Sequence, residues 1–181
     1  MKIVLRYWKA LLLTSIVILG GTTSVRADFF APWTAAGSTG TVDETDNSNV
    51  IFSGSYATVR SAVSSTTVDI RYNVVAIDGL LSGGEGYFLK VRFRARGTNA
   101  RVRLFLKEHN IDTGTTVTRI SFDSDTYASS SGFQTQSIPF CSPGWSFDFV
   151  KNIYYIEVQL IKGSTGGTPA IDAIQIGVTL C

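Results

Sequence analysis

Past residue 27, apolar and polar positions alternate with a period of two, and turn-forming residues interrupt the alternation at short intervals. The alternating segments are 50–60, 66–77, 87–96, 100–108, 115–123, 133–140, 153–162 and 170–179. Between them lie clusters such as Ser82-Gly83-Gly84, Gly97-Thr98-Asn99, Asp112-Thr113-Gly114 and residues 163–167. No run of period 3.6, no internal repeat and no linker marks a second domain. The pattern predicts an all-β chain: an antiparallel β-sandwich, a jelly roll of about eight strands, in a single domain over residues 28–181.

The sharpest local pattern runs from Tyr87 to Lys107. Lys90, Arg92, Arg94 and Arg96 alternate with Val91, Phe93 and Ala95; Arg101, Arg103, Phe105 and Lys107 alternate with Val102, Leu104 and Leu106. Read as a hairpin closed by the intervening Gly, the segment places Arg96 opposite Arg101, Arg94 opposite Arg103 and Lys90 opposite Lys107. Opposed like charges destabilise a sheet, so such a face needs compensation. Either acids on neighbouring strands, Asp69 or Glu157, interleave with the cations, or the face binds an anionic ligand. Arginine suits the second role because its planar fork grips a carboxylate or sulfate through two hydrogen bonds. Phe105, among the cations, can stack on a sugar ring.

Charge changes meaning along the chain. Lys2, Arg6 and Lys9 precede an apolar run from Ala10 to Ile18, Gly20 and Gly21 break it, and Val25-Arg26-Ala27 offers small or apolar residues two apart. This is the pattern of a secretory signal peptide over residues 1–27, cleaved after Ala27, and it predicts a secreted protein, extracellular or periplasmic. The run is too short for a spanning helix, so no membrane association is expected once the signal is removed. The chain carries 16 basic and 14 acidic side chains, and residues 1–27 hold four of the basic ones and none of the acids. Twelve basic residues then face fourteen acids, a net charge of −2, which removes the case for nucleic acid as a partner.

The two cysteines, Cys141 and Cys181, permit one intramolecular pairing, which an oxidising compartment favours; a free thiol or an intermolecular bridge is the alternative. Trp33, Trp145, Tyr127, Tyr154 and Tyr155 read either as packing or as a carbohydrate platform, and the adjacent Tyr154 and Tyr155 point to opposite faces. Asp43, Glu44 and Asp46 offer hard oxygens for calcium, as do Asp123 and Asp125, although turn chemistry accounts for the same residues. No other cofactor is indicated. His109 is the single histidine, and no nucleophile elbow, zinc-protease, phosphate-loop or redox-dithiol motif is present. The enzymatic alternative, a lyase or glycosidase acting on polysaccharide, has no residue pair to anchor it, and no catalytic residue is assigned.

Residues 152–162 (NIYYIEVQLIK) and 169–177 (PAIDAIQIG) resemble the closing strands of secreted jelly-roll modules, among which carbohydrate-binding modules are familiar. The chain also resembles small secreted bacterial proteins that stand without an attached enzyme. The resemblance implies a β-sandwich and extracellular binding, and carries over no binding residue. Together these readings predict a secreted, non-catalytic binding module for an anionic extracellular or cell-envelope glycan, contacted by Lys90, Arg92, Arg94, Arg96, Arg101, Arg103, Phe105 and Lys107. The competing reading is a structural protein that docks an acidic protein surface.

Overall fold

The computed structural model describes residues 31–81, 86–96, 99–165 and 167–181; the N-terminal signal pattern lies outside the described residues. The strands are β1 (Trp33–Ala36), β2 (Thr41–Val42), β3 (Val50–Ser53), β4 (Tyr56–Val59), β5 (Thr66–Val74), β6 (Gly86–Arg94), β7 (Ala100–Asn110), β8 (Thr116–Asp123), β9 (Gln134–Phe140), β10 (Asn152–Lys162) and β11 (Ala170–Thr179). Sheet A has the order β3-β4-β11-β6-β9, with β1 also paired to β11; sheet B has the order β2-β5-β10-β7-β8. Every pairing is antiparallel. From β5 onward the chain repeatedly crosses between the sheets, as a jelly roll does.

All eight alternating segments are strands, and the first is folded in half. Residues 50–60 form β3 and β4 around Gly54, whose φ of +57° suits glycine. β1 and β2 went unanticipated because WTAA and TV are too short and too weakly patterned to show a period.

The core lies between the sheets. Sheet A contributes Tyr87, Leu89, Val91 and Phe93 from β6 and Ile171, Ile174 and Ile176 from β11. Sheet B contributes Val68, Ile70 and Tyr72 from β5, Val102, Leu104 and Leu106 from β7, and Ile156, Val158 and Leu160 from β10. Each such side chain contributes about 1.5–3 kcal/mol on burial. Phe93 of sheet A meets Phe122 of sheet B edge-on, with ring centroids 5.0 Å apart. At the other end Tyr87, Trp145, Phe147, Phe149 and Tyr154 form an aromatic cluster. Cys141 and Cys181 are joined in a disulfide with Cα atoms 5.8 Å apart, as the cysteine count predicts.

The expected Tyr87–Lys107 hairpin does not form. β6 lies in sheet A between β11 and β9, whereas β7 lies in sheet B between β10 and β8. The alternation was sound, but it reports only which side faces the core; two half-apolar strands meet that requirement equally well from opposite sheets. Separation also removes the like-charge opposition. Lys90 faces Gln175 and Ser137, and Arg92 faces Ala173 and Thr135. Across sheet B, Arg103 faces Gln159 and Asp123, and Lys107 faces Tyr155 and Thr118.

Candidate functional site

The eight residues expected on one face therefore occupy two surfaces on opposite sides of the sandwich. Lys90, Arg92 and Arg94 project from sheet A, with Arg96 just beyond β6; Arg101, Arg103, Phe105 and Lys107 project from sheet B.

On sheet B the register builds ordered rows across the solvent face. One runs Thr41, Arg71, Glu157, Phe105, Ser121; a second Asn73, Tyr155, Lys107, Thr118; a third Asp69, Gln159, Arg103, Asp123. These residues face outward because their neighbours Ile70, Tyr72, Leu104, Leu106, Ile156 and Val158 are the buried positions of the same strands. Phe105 and Tyr155 are partly exposed, sit on the adjacent strands β7 and β10, and occupy diagonal positions in neighbouring rows. Diagonal neighbours are about 7 Å apart, so the two rings lie near one another on the outer face. Phe105 lies between two cations, 5.3 Å from the Arg103 guanidinium and 5.0 Å from Lys107 Nζ. Tyr154, the inward member of the tyrosine pair, is buried beneath.

The cations of this face are largely compensated, but by other acids than Asp69 or Glu157. Arg101 Nε donates to Asp123 Oδ1 at 2.8 Å, Arg101 Nη2 reaches Asp123 Oδ2, and Asp125 lies 3.1 Å from Arg101 Nε. Arg103 Nε is 3.5 Å from Asp123 Oδ2. The Arg101 hydrogen bonds hold the Asp123 carboxyl below the usual carboxylate range, against an opposing effect of burial. Arg71 is 3.9 Å from Asp43 across two exposed side chains. Two buried polar atoms among the described residues lack a hydrogen-bond partner, Asp69 Oδ1 and Arg103 Nε. Both belong to the third row, one on each side of Gln159.

On sheet A, Arg92 Nε donates to Asp172 Oδ2 at 2.8 Å, and Ser55 donates to the other oxygen of the same carboxylate. Arg94 donates through Nε to the Thr168 carbonyl at 3.4 Å and through Nη2 to its hydroxyl at 3.2 Å. Phe133 packs beneath both guanidinium groups, 5.6 Å from Arg92 and 5.3 Å from Arg94.

The remaining candidates pack or hydrogen-bond within the protein. Trp33 is buried, and Trp145 packs against Tyr87 and Phe140 while its indole Nε1 donates to Glu108 Oε2 at 2.9 Å. Glu108 also accepts from Arg119 Nε at 2.9 Å and Nη2 at 2.8 Å, a pairing that the sequence reading missed. Only the two-residue bulge between Leu106 and Lys107 brings Arg119 alongside Glu108, and no strand periodicity announces it. These Arg119 hydrogen bonds lower the Glu108 pKa, outweighing desolvation, and the Trp145 bond lowers it further. Tyr127 stacks on Phe122. His109 Nδ1 lies 2.8 Å from Thr116 Oγ1.

Asp43 and Asp46, expected as calcium ligands, make contacts within the protein. Asp43 faces Arg71, Asp46 Oδ2 accepts the Asp69 backbone N–H at 3.0 Å, and among the described residues no three His, Cys, Asp or Glu side chains converge. The loop oxygens are used as turn and strand-edge acceptors instead. Among the described residues no helix is long and apolar enough to cross a membrane.

No protein-family model and no curated protein matches the chain. Among solved structures it is similar to a xylan-binding module, CBM15, with 13% identity over 83% of this chain and 98% of that one, TM-score 0.48. It is also similar to the family 11 carbohydrate-binding module from Clostridium thermocellum in complex with a mixed-linked tetrasaccharide (14% identity, 83% and 89% covered, TM-score 0.42). A third is the family 30 carbohydrate-binding module of a Clostridium thermocellum cellulosomal cellulase (14% identity, 82% and 92% covered, TM-score 0.43). These three structures are carbohydrate-binding modules. No residue role is carried over from them.

Proposed function

We propose that this protein is a secreted, non-catalytic binding module that holds a polysaccharide on the outer face of sheet B. The observation that carries the reading is that Phe105 and Tyr155 lie beside the row of Asp69, Gln159 and Arg103, in which Asp69 Oδ1 has no hydrogen-bond partner. Rings offer apolar surface to the C–H faces of a sugar, and buried polar atoms without partners are costly unless a ligand or water completes them. Asn73, Glu157 and Gln159 add hydrogen-bonding groups of both kinds around the rings. Arg71, Arg103 and Lys107 extend the preference to acidic polymers, because carboxylate or sulfate groups accept charge-assisted hydrogen bonds from them. A working place outside the cytoplasm is supported by the Cys141–Cys181 bridge and the N-terminal export pattern.

Native gels containing neutral or acidic polysaccharides, run at low and high salt, test this. Retardation by at least one polymer is expected. Tyr155→Ala and Phe105→Ala should each weaken it by about tenfold, at roughly 1.5 kcal/mol per lost ring contact. Arg103→Glu should weaken only the salt-sensitive, acidic-polymer component. Retardation unaffected by either ring substitution would overturn the site. A second reading, docking of a protein partner, draws on exposed Ile111, Val150 and Ile153 near the β7–β10 end of the sandwich. It predicts concentration-dependent association or protein capture that Ile153→Asp abolishes, with all polysaccharide gels negative.

A further inference from the structure

On the opposite side of the sandwich, a notch of about 200 Å³ opens to solvent, lined by Arg94, Arg96, Ser131, Gly167 and Thr168. None of these five residues is acidic. We infer that this notch is a separate oxyanion site, taking a group of the sulfate or carboxylate class either as a free ion or as a substituent of an acidic polysaccharide. It does not rest on the sheet B reading, since the two surfaces share no residue.

Three features build the site. The first is charge. Arg94 and Arg96 have no carboxylate within 4.0 Å among the described residues, whereas neighbouring Arg92 is held by Asp172. Two guanidinium groups on one small opening repel each other unless an anion lies between them.

Preorganisation is the second. The guanidinium of Arg94 is fixed by Thr168, through its carbonyl and hydroxyl, and by the Phe133 ring at 5.3 Å. The notch walls are tethered as well: Ser130 N–H bonds to the Ala95 carbonyl at 3.0 Å, and the Pro169 carbonyl accepts from the Thr58 hydroxyl at 2.8 Å and the Val59 N–H at 3.3 Å. A fixed fork loses little freedom when it binds.

The third is close approach. A Cβ placed on Gly167 would stand 3.0 Å from Arg96 Cβ, so glycine lets this backbone lie directly against the arginine. The hydroxyls of Ser131 and Thr168 then complete a donor set suited to an oxyanion.

The test is a titration of the oxidised protein with sodium sulfate at constant ionic strength, chloride being the balancing salt, followed by amide NMR. Saturable shifts are expected at Ser131, Gly167 and Thr168. Arg96→Gln, an exposed position that leaves the fold untouched, should weaken the apparent affinity about tenfold, the loss of one charge-assisted contact. Arg94→Gln should weaken it at least as much. Absence of saturable shifts, or an affinity in both variants unchanged from the parent protein, would overturn the site. Dextran sulfate and neutral dextran distinguish the sources. Retardation by dextran sulfate that Arg96→Gln reduces assigns the site to a polymer substituent, and sulfate-ion binding without it assigns the site to the free ion.

Discussion

The Cys141–Cys181 bridge gives a prediction whose size follows from the chain itself. The cysteines are 40 residues apart in sequence, and the loop they close contains β10, β11 and the aromatic turn around Trp145. On the chain-entropy relation, a loop of this length removes about 4 kcal/mol of freedom from the unfolded state. The folded state gains little from the bridge, because β11 is already held by β6, β1 and β4, and Phe140 is packed on Trp145. Replacing both cysteines by serine should therefore leave the native structure in place and lower the melting temperature. At roughly 2–4 °C per kcal/mol for a domain of this size, the fall should be about 8–16 °C. Because the effect resides in the unfolded chain, the urea m-value should rise as that chain expands. Calorimetry and urea denaturation of the double variant against the oxidised protein read both quantities. A melting temperature within about 3 °C of the parent, with an unchanged m-value, would refute this reasoning.

Other substitutions probe the core and its ion pairs. Glu108→Gln should destabilise the fold by about 2 kcal/mol at neutral pH, since it removes a charge-assisted acceptor shared by Arg119 and Trp145. The Glu108 carboxyl is lowered in the fold from its ordinary 4.5, so its stabilisation is complete above that pH and lost as pH falls through the depressed folded value. Urea melts between neutral and acid pH should show that acid limb flattened in the variant. Phe93→Ala should cost about 3–5 kcal/mol by urea denaturation, because the ring is fully buried and contacts Phe122. A double-mutant cycle on Arg101 and Asp123 should give a coupling of about 1 kcal/mol that shrinks with added salt, both side chains being partly exposed.

Strand positions and inward faces were legible because burial imposes a period of two that the chain obeys from β5 to β11. The disulfide was legible because two cysteines leave one intramolecular choice. Strand partners were not. β6 and β7 are adjacent in sequence and both half-apolar, and the residues joining them include a turn-forming glycine, so local pattern cannot distinguish a hairpin from a crossing between sheets. Charge carried the missing information: pairing Arg96 with Arg101 and Arg94 with Arg103 is unfavourable, which argues against adjacency as well as for a ligand. Of the outer-face pair, Phe105 was visible as an aromatic among cations, and Tyr155 as one of two rings of which one had to be core. Asn73 and Gln159 became relevant only once β10 was known to lie between β5 and β7.

The division of the arginines between sheets has a thermodynamic consequence. Arg94 and Arg103 project from opposite outer faces, and stacked sheets alone stand about 10 Å apart, so the two share no partner. Charge reversals at the two positions should add, within about 0.5 kcal/mol, in their effect on binding an acidic polymer. A basic face shared by the two residues would instead give strongly non-additive losses, because one reversal would already disrupt the common ligand. Measuring Arg94→Glu, Arg103→Glu and the double variant on dextran sulfate therefore tells two independent surfaces from one. Additivity is the outcome required by the register of β6 with β11 and of β7 with β10.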